Sequence, residues 1–350
     1  MHSNILKLTW PHVGNDNIKQ YLEKIISNTS EKKDLISGAY IFNGPDNLGK
    51  TTVANYFAKI LLCSQRKNLH PCDDCNSCRQ LGAHHESALG VAHGDYHAIG
   101  RQKDKKNISI EQVRELIYML NMSSFMNSYK VGIIKHAETM SNEAMNAVLK
   151  TLEEPKQKVV IILVTNQLEL LPETILSRSK ILNFHPVKNS EIYNYLINTF
   201  QIERSVAKTY SRMCLGRPAL AIKFHENKDF FDKFNNNAEL LIDILDKNLN
   251  EKLSKVDKII DAKLSNQENI KKLIRVFEVW ESVLRDVYLS SYNNLNLLQN
   301  ENYKEAISGY SSIFNSLRIV DMIKKISRAK GYLASNVSVK GVLDNLVIQL

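Results

Sequence analysis

The pattern of apolar and polar positions along the chain changes near residue 186. Before that point, short apolar runs alternate with segments in which apolar residues recur every three or four positions; after it, nearly every segment has the second pattern. Apolar runs of about four to eight residues bounded by turn residues are typical of buried strands, and the longer period is typical of amphipathic helices. The pattern therefore predicts an α/β first part with a parallel sheet, followed by helical domains.

The first part shows a regular alternation of strands and helices. The run Val159–Val164 is uniformly apolar, as parallel strands covered on both faces tend to be. Ser109 is a candidate N-cap, and Pro155 is expected to end the helix before it. Strands are predicted at 39–43, 129–134, 159–164 and 180–184, and helices at 50–62, 109–122 and 141–152.

The rest of the chain separates into a smaller and a larger helical part. The polar tracts Asn235–Asn237 and Ser290–Asn302 are predicted to be loops. Helical spacing is found at 192–200, 206–213, 218–224, 240–245 and 270–288. Three domains are therefore expected: an α/β nucleotide-type domain at 1–186, a small helical domain at 187–226 and a larger helical domain at 227–350.

Composition narrows the class of protein without identifying it. The chain has 350 residues, of which 43% are hydrophobic and 24% charged, so a sizeable core is expected and a wholly disordered chain is excluded. No apolar run of membrane-spanning length and no secretory signal is found, so the cytoplasm is the expected compartment. The net charge of +9 favours polyanion partners, but only 12 of the 46 basic residues are arginine, and the charge alone is weak evidence for DNA binding.

The strand at 39–43 leads into a candidate phosphate loop. Residues 44–51 match the pattern G-x-x-x-x-G-K-[ST], in which backbone N–H groups surround phosphate oxygens. Lys50 is expected to reach the β- and γ-phosphates and Thr51 to hold Mg²⁺, at the positive end of the helix that begins there. The strand–loop–helix context favours this interpretation over a chance match in a Gly/Asn turn. The candidate nucleotide-binding residues of this segment are Gly44, Gly49, Lys50, Thr51 and Thr52.

The strand that should carry the acidic residues of an ATPase lacks them. Such enzymes need an acidic pair after a second apolar strand, to hold Mg²⁺ and polarise water. Here the run Val131–Ile134 is followed by Lys135 and His136, and a lysine repels Mg²⁺. Glu138 lies three residues beyond the first acidic position. The prediction is a chain that binds ATP or ADP with Mg²⁺ and hydrolyses it weakly or not at all.

Four of the five cysteines lie within 16 residues, with the spacing C-x8-C-x2-C-x2-C. Four thiolates at this spacing predict a closed structural Zn²⁺ site. An iron–sulfur cluster, a redox dithiol and unrelated free thiols are the alternatives, and His70 is an alternate ligand. Cys214 stands apart and is expected to be a small buried residue. The predicted metal ligands are Cys63, Cys72, Cys75 and Cys78.

Taken in order, these motifs resemble those of the clamp-loader subunits of bacterial DNA polymerase III, within the AAA+ class, and most closely the delta-prime family. The resemblance covers about residues 10–226. It rests on the phosphate loop and on the cysteine module inserted after its helix. Four further segments carry it: 108–114, Asn142–Pro155 with its Leu-Glu-Glu-Pro ending, Thr165–Asn166, and Leu176–Ser179.

The resemblance implies roles for three further residues. Asn166 corresponds to the sensor-1 polar residue near a γ-phosphate, and Arg217 to sensor 2 of the lid, with a helix cap as its alternative role. Arg178 lies in a Ser-Arg-Ser segment similar to the family's Ser-Arg-Cys motif. That motif implies a trans arginine finger, which stabilises negative charge on the ATP of a neighbouring subunit. Without the family context, a solvated or salt-bridged arginine would be the simpler interpretation.

The family also implies an architecture and partners. The expected plan is an AAA+ P-loop domain at 1–186 with a zinc module at 63–78, a helical lid at 187–226 and a helical collar for oligomerisation at 227–350. The expected partners are the gamma/tau and delta subunits of a hetero-pentamer, with the sliding clamp and primed DNA contacted mainly through the complex and no membrane. Delta-prime subunits commonly act as stators without hydrolysing ATP. The alternatives are an ATP-hydrolysing gamma/tau-like motor subunit, against which Lys135 and His136 argue, and a zinc-bearing DNA-binding module.

Overall fold

The computed structural model describes residues 10–28, 36–66, 69–82, 93–102, 105, 107–124, 129–154, 156, 158–334 and 337–350. The chain divides into two compact units, Met1–Ile192 with Gly216–Ala219, and Tyr193–Leu215 with Leu220–Leu350. The domain boundaries expected after residues 186 and 226 stay predictions. Within the described ranges, no helix is both long and apolar enough to cross a membrane.

The first unit is built on a parallel five-stranded sheet with the strand order β2-β3-β4-β1-β5. The predicted α/β class is confirmed, and the four predicted strands are found to within one residue at each end. The strand Tyr96–Ile99 is not predicted from the sequence, because it is short, lies at the sheet edge and is only partly buried. The strands are β1 Ala39–Asn43, β2 Tyr96–Ile99, β3 Lys130–Lys135, β4 Val159–Thr165 and β5 Lys180–Asn183.

Helices cover both faces of this sheet. Tyr40 and Phe42 of β1 lie in one buried core with residues of α1 and α2, while Ala39 and Ile41 lie in a second core with residues of α4 and α5. Ser109 caps α4 through a capping box, as predicted. The helix predicted at 141–152 ends at Glu153, and Pro155 lies outside the described residues. The helices before residue 189 are α1 Asp16–Asn28, α2 Lys50–Leu62, α3 Asn76–Leu81, α4 Ile110–Asn121, α5 Asn142–Glu153 and α6 Glu173–Leu176.

The strand order determines where a ligand can approach the sheet. In open parallel sheets, ligands bind beyond the carboxyl ends of the strands, at the position where the strand order reverses. Strand β1 lies between β4 and β5, so this position is at its carboxyl end. The candidate phosphate loop follows β1, Asn166 follows β4, and Lys135 is the last residue of β3. The fold therefore brings the predicted nucleotide-binding segments to one edge of the sheet.

The second unit consists of helices and short turns. Its long helix α12 packs against α10, α13 and α14, and Trp280 of α12 is fully buried. Trp280 Nε1 donates a 3.0 Å hydrogen bond to the backbone oxygen of Asn237, which lies within α10. The predicted loop at Asn235–Asn237 is therefore wrong: Phe234 and Ala238 are buried on either side of it, and tertiary packing outweighs the low helix propensity of asparagine. The helices from residue 189 onward, of which α7 and α9 begin in the first unit, are α7 Asn189–Phe200, α8 Arg204–Met213, α9 Pro218–Glu226, α10 Lys228–Leu245, α11 Leu249–Val256, α12 Asn266–Ser290, α13 Lys304–Ile313, α14 Ser316–Ala334 and α15 Val339–Gln349.

A buried carboxylate holds the irregular segment that follows α12. Asp286 is fully buried, and its Oδ2 accepts hydrogen bonds from the backbone N of Gln299 at 2.9 Å and of Asn300 at 2.7 Å. Asn300 Nδ2 donates a third bond to the same oxygen at 2.9 Å, and Arg285 donates to Oδ1 at 2.9 Å. The segment predicted as a loop, 290–302, contains only turns and short 3₁₀ segments after the end of α12, and this carboxylate fixes its course.

Candidate functional site

The phosphate loop between β1 and α2 needs glycine at both glycine positions of its motif. Gly44 has φ 143° and Gly49 has φ 82°, in the region that favours glycine. A Cβ at position 44 would lie 2.5 Å from the backbone oxygen of Phe184, and one at position 49 would lie 2.4 Å from Nδ1 of His12. Any larger residue at either position would therefore collide with its surroundings.

Lys50 lies inside this loop. Its side chain is 6% exposed, and its Nζ donates hydrogen bonds to the backbone oxygens of Gly44 and, at 2.7 Å, of Pro45. Burial lowers the pKa of Lys50 to about 8, although the carboxylates of Asp46 and Glu138 act in the opposite direction. A buried ammonium at the N-terminus of a helix suits an anion such as a phosphate group. Thr51 and Thr52 follow, half-buried, in the first turn of α2.

His12 is a residue of this site that the sequence analysis does not identify. Its side chain lies against Gly49, is 7% exposed, and has a buried Nε2 with no hydrogen-bond partner in the described structure. Burial lowers the pKa of His12 to about 4, so the imidazole is neutral at pH 7. No spacing or pattern in the sequence marks this histidine, because the contact depends on how the segment before α1 meets the loop.

The carboxyl end of β3 carries a mixed group of charges. Lys135 is half-buried, which lowers its pKa, and His136 is exposed with φ 54°. Glu138 has a side chain that is 7% exposed, with Oε1 3.4 Å from Nδ1 of His136 and Oε2 without a hydrogen-bond partner. Burial raises the pKa of Glu138, but hydrogen bonds with His136 and Thr165 outweigh it and leave the pKa below its ordinary value. The end of β3 therefore carries the ionised carboxylate of Glu138 together with Lys135 and His136, whereas hydrolysis needs an acidic pair at this position.

Two residues singled out by the resemblance also lie at this edge of the sheet. Asn166 is half-buried directly after β4. The segment Gly216–Ala219 belongs to the first unit, and the backbone N of Ala219 donates a 3.1 Å hydrogen bond to the backbone oxygen of Asn47 in the phosphate loop. The charge of Arg217 is close enough to Lys50 to lower its pKa. The structure thus brings Arg217 to the loop.

Arg178 lies just beyond α6 and is exposed. Its NH2 lies 3.1 Å from Oε1 of Glu153, the last residue of α5. Its NH1 donates to the backbone oxygen of Thr174 at 3.2 Å and to Oγ of Ser177 at 3.3 Å. Within the described residues, the polar contacts of the Arg178 side chain are confined to these three groups. The arginine is therefore held by neighbours of its own and makes no polar contact with the phosphate loop of the same chain.

The four clustered cysteines form a candidate metal centre. Their sulfur atoms all lie within 4.8 Å of one another, and the Cys72–Cys78 and Cys63–Cys75 sulfur pairs are each 3.9 Å apart. Tetrahedral coordination with Zn–S bonds of about 2.3 Å places sulfur atoms about 3.8 Å apart. The donor set and its spacing therefore fit zinc.

The surroundings of the cluster act on its thiols in opposite directions. Hydrogen bonds from backbone N–H groups lower the pKa of the Cys72 thiol, whereas burial raises the pKa of the Cys63 and Cys78 thiols. Lys59 of α2 pairs with Asp73 at 2.6 Å and so attaches the module to that helix.

Two other candidate ligands lie outside the cluster. His70 is not one of the four residues, and its Nδ1 lies 3.0 Å from the hydroxyl of Tyr56. Cys214 is buried, as predicted, in the second unit, where its thiol donates to the backbone oxygen of Ser211. The metal centre is thus defined by four sulfur atoms.

Comparison with known proteins finds one group of relatives repeatedly. A family model described as DNA polymerase III, delta subunit, matches residues 15–188. The DNA polymerase III subunit delta' of Bacillus subtilis is 25% identical over an alignment of 364 positions, gaps included, that covers 99% of each chain. Subunit delta' of Haemophilus influenzae is 30% identical over 203 residues, 56% of this chain and 59% of that one.

A relative of a different name matches about half of the chain. The DNA polymerase III subunit tau of Bacillus subtilis is 28% identical over 188 residues, 53% of this chain and 31% of that one. The chain thus spans nearly all of the first relative and less than two thirds of each of the other two.

Proposed function

We propose a function for this chain on the premise that it belongs to the delta-prime family of DNA polymerase III subunits. The chain is a stator of a clamp loader, acting in the cytoplasm within a hetero-pentamer with gamma/tau and delta subunits. It binds a nucleotide without hydrolysing it, and it donates Arg178 to the ATP of a neighbouring subunit. Through the complex it takes part in loading the sliding clamp onto primed DNA.

The observation that carries this proposal is the end of strand β3. Hydrolysis of bound ATP needs carboxylates that hold Mg²⁺ and orient water at this position. Lys135 and His136 stand there instead, and a cation at that position repels a metal ion. The phosphate loop itself, with Lys50 buried at its centre, keeps the donors that bind phosphate. The site therefore keeps the residues that bind a nucleotide but has a lysine and a histidine where hydrolysis needs carboxylates.

Arg178 supplies the chemistry that a stator can offer to its neighbour. A guanidinium is always charged, and it binds phosphate oxygens through two parallel N–H bonds. Placed at the γ-phosphate of a neighbouring subunit, it stabilises negative charge that develops as the phosphoryl group is transferred. This role requires an exposed arginine that is not bound by its own phosphate loop, and Arg178 meets that requirement.

Zinc has a structural role in this proposal. Four thiolates close the coordination shell, so no position is open for a substrate. When bound, zinc supplies folding energy to the module at 63–78, because the unfolded segment lacks a preformed site. Cys63 is the C-cap of α2. The metal centre would therefore fix the C-terminal end of the helix that begins at the phosphate loop.

A motor subunit remains the second candidate, and one observation favours it. Glu138 is a buried, ionised carboxylate near Lys50, and a single acid at this place could support slow turnover. The test is an ATPase assay on the isolated chain with Mg²⁺, for which the stator proposal predicts no turnover above background. Turnover that Lys50→Ala abolishes would overturn the stator proposal and support the motor.

The finger role is tested in the reconstituted loader. Arg178→Ala should leave assembly intact and lower the DNA-stimulated ATPase of the complex by about 10³-fold at the site that receives it. Arg204→Ala, which removes another exposed arginine on α8, is the matched control and should leave the rate unchanged. Unchanged ATPase activity of the complex with Arg178→Ala would refute the finger role.

A further inference from the structure

We propose that Glu153 is a positioning residue for Arg178, an inference that rests on the proposed finger role. The two side chains meet at the C-terminal end of α5, where Glu153 is the last helical residue. The negative end of the helix dipole lies there and adds to the attraction of the carboxylate for a guanidinium. The ion pair therefore joins two segments that lie apart in the sequence, the Leu-Glu-Glu-Pro ending and the Ser-Arg-Ser segment.

The contacts hold one part of the guanidinium and leave another available. NH1 donates hydrogen bonds to the backbone oxygen of Thr174 and to Oγ of Ser177, and NH2 forms an ion pair with Oε1 of Glu153 at 3.1 Å. Nε–H makes no hydrogen bond within the described residues. It lies on the side edge of the guanidinium, the edge through which an arginine can bind two oxygens of a phosphate in parallel.

The exposure of the pair explains why it positions the arginine and does not compete with a phosphate. The side chains are 38% and 49% exposed, so water screens their attraction and the pair is easily adjusted. Its effect is to restrict a long side chain with many rotamers before the neighbour arrives, which reduces the ordering cost of forming the trans contact. The dianionic part of a phosphate then binds the edge that remains open, while Glu153 stays in place.

The experiment measures kcat and KM for ATP in the reconstituted loader with single and double variants of this chain. Glu153→Gln keeps the shape of the side chain and removes its charge. The strength measured for exposed ion pairs corresponds to a fall in kcat of about two- to fivefold, with KM nearly unchanged. Glu154→Gln is the matched control, because the neighbouring carboxylate makes no contact with Arg178, and it should leave both constants unchanged.

The double variant separates the positioning role from a general structural effect. In an Arg178→Ala background, Glu153→Gln should have no further effect on kcat, because the residue acts through the arginine. A normal or raised kcat for Glu153→Gln, while Arg178→Ala lowers it, would overturn the positioning role and leave the finger role standing. An equal loss with and without Arg178 would also overturn it. If Arg178→Ala itself has no effect, both proposals fail.

Discussion

The burial of Lys50 predicts that the affinity for nucleotide falls between pH 7 and pH 9. In the free protein the pKa of Lys50 is lowered to about 8, chiefly by burial. A bound phosphate favours the charged ammonium and raises this pKa again, so binding at higher pH requires the uptake of a proton. The affinity should therefore be full below pH 8 and should be lost as the pH rises through and above that value.

The size of the effect follows from the fraction of Lys50 that is charged. With a pKa of about 8, about nine-tenths of the free protein carries the charge at pH 7 and about one-tenth at pH 9. If the bound state stays charged throughout, the Kd rises about tenfold between these values, or about 1.4 kcal/mol. The terminal phosphate of the nucleotide ionises near pH 6, below this window, and His12 is already neutral there.

Titration calorimetry with ADP at pH 7, 8 and 9 measures this dependence, in buffer without added Mg²⁺ so that no added metal ion titrates with the ligand. Lys50→Arg is the control, because a guanidinium keeps its charge throughout this range. Its Kd, whatever its value, should be the same at pH 7 and pH 9. A wild-type Kd that does not change, or a Lys50→Arg variant with the same slope as the wild type, would refute the reasoning.

Two further outcomes follow from the geometry. Cys75→Ser removes one of four sulfur ligands, and metal analysis should show the zinc content falling from about one per chain towards zero. Cys214→Ser is the control and should leave the zinc content unchanged. Full zinc content in Cys75→Ser would contradict the four-thiolate site. Asp286→Ala leaves buried N–H groups unpaired and should lower the free energy of unfolding by about 2–5 kcal/mol. Urea unfolding followed by Trp280 fluorescence in a Trp10→Phe background measures this in the second unit, and a loss under about 1 kcal/mol would contradict it.

The sequence predicts those parts of the fold in which one continuous segment carries the signal. Strand β4 is predicted because its residues are apolar on both faces, and helix α4 because Ser109 and its apolar face mark a start and a side. Strand β2 is missed because its four residues, of which only Tyr96 is buried, lie at a sheet edge and carry no such run. The Asn235–Asn237 tract is mistaken for a loop because its helical state depends on packing against α12, which lies far along the chain.

The candidate site likewise contains local motifs, which the sequence predicts, and contacts between distant segments, which it does not. The phosphate loop and the cysteine spacing are local, and the structure places each set of residues together. The contact of His12 with Gly49 and the pairing of Glu153 with Arg178 join segments that are distant in sequence. Neither partner carries a pattern that indicates the other. Such pairs depend on the tertiary fold, which fixes the relative positions of strands and helix ends.

Helix α2 connects the two candidate ligand sites, and this explains how a stator could use a nucleotide that it does not hydrolyse. The helix begins at Lys50 and its C-cap is Cys63, so phosphate at one end and zinc at the other would fix the same 13 residues. A ligand that binds only the folded state stabilises it by about 2.7 kcal/mol at a hundredfold excess over Kd, without turnover. Strand β1, which leads into the loop, pairs with β5, and β5 begins two residues after Arg178. Under the proposed function, a nucleotide bound at the phosphate loop would thus stiffen the edge strand that leads from Arg178. Because the site has no acidic pair, the nucleotide would stay bound without being hydrolysed.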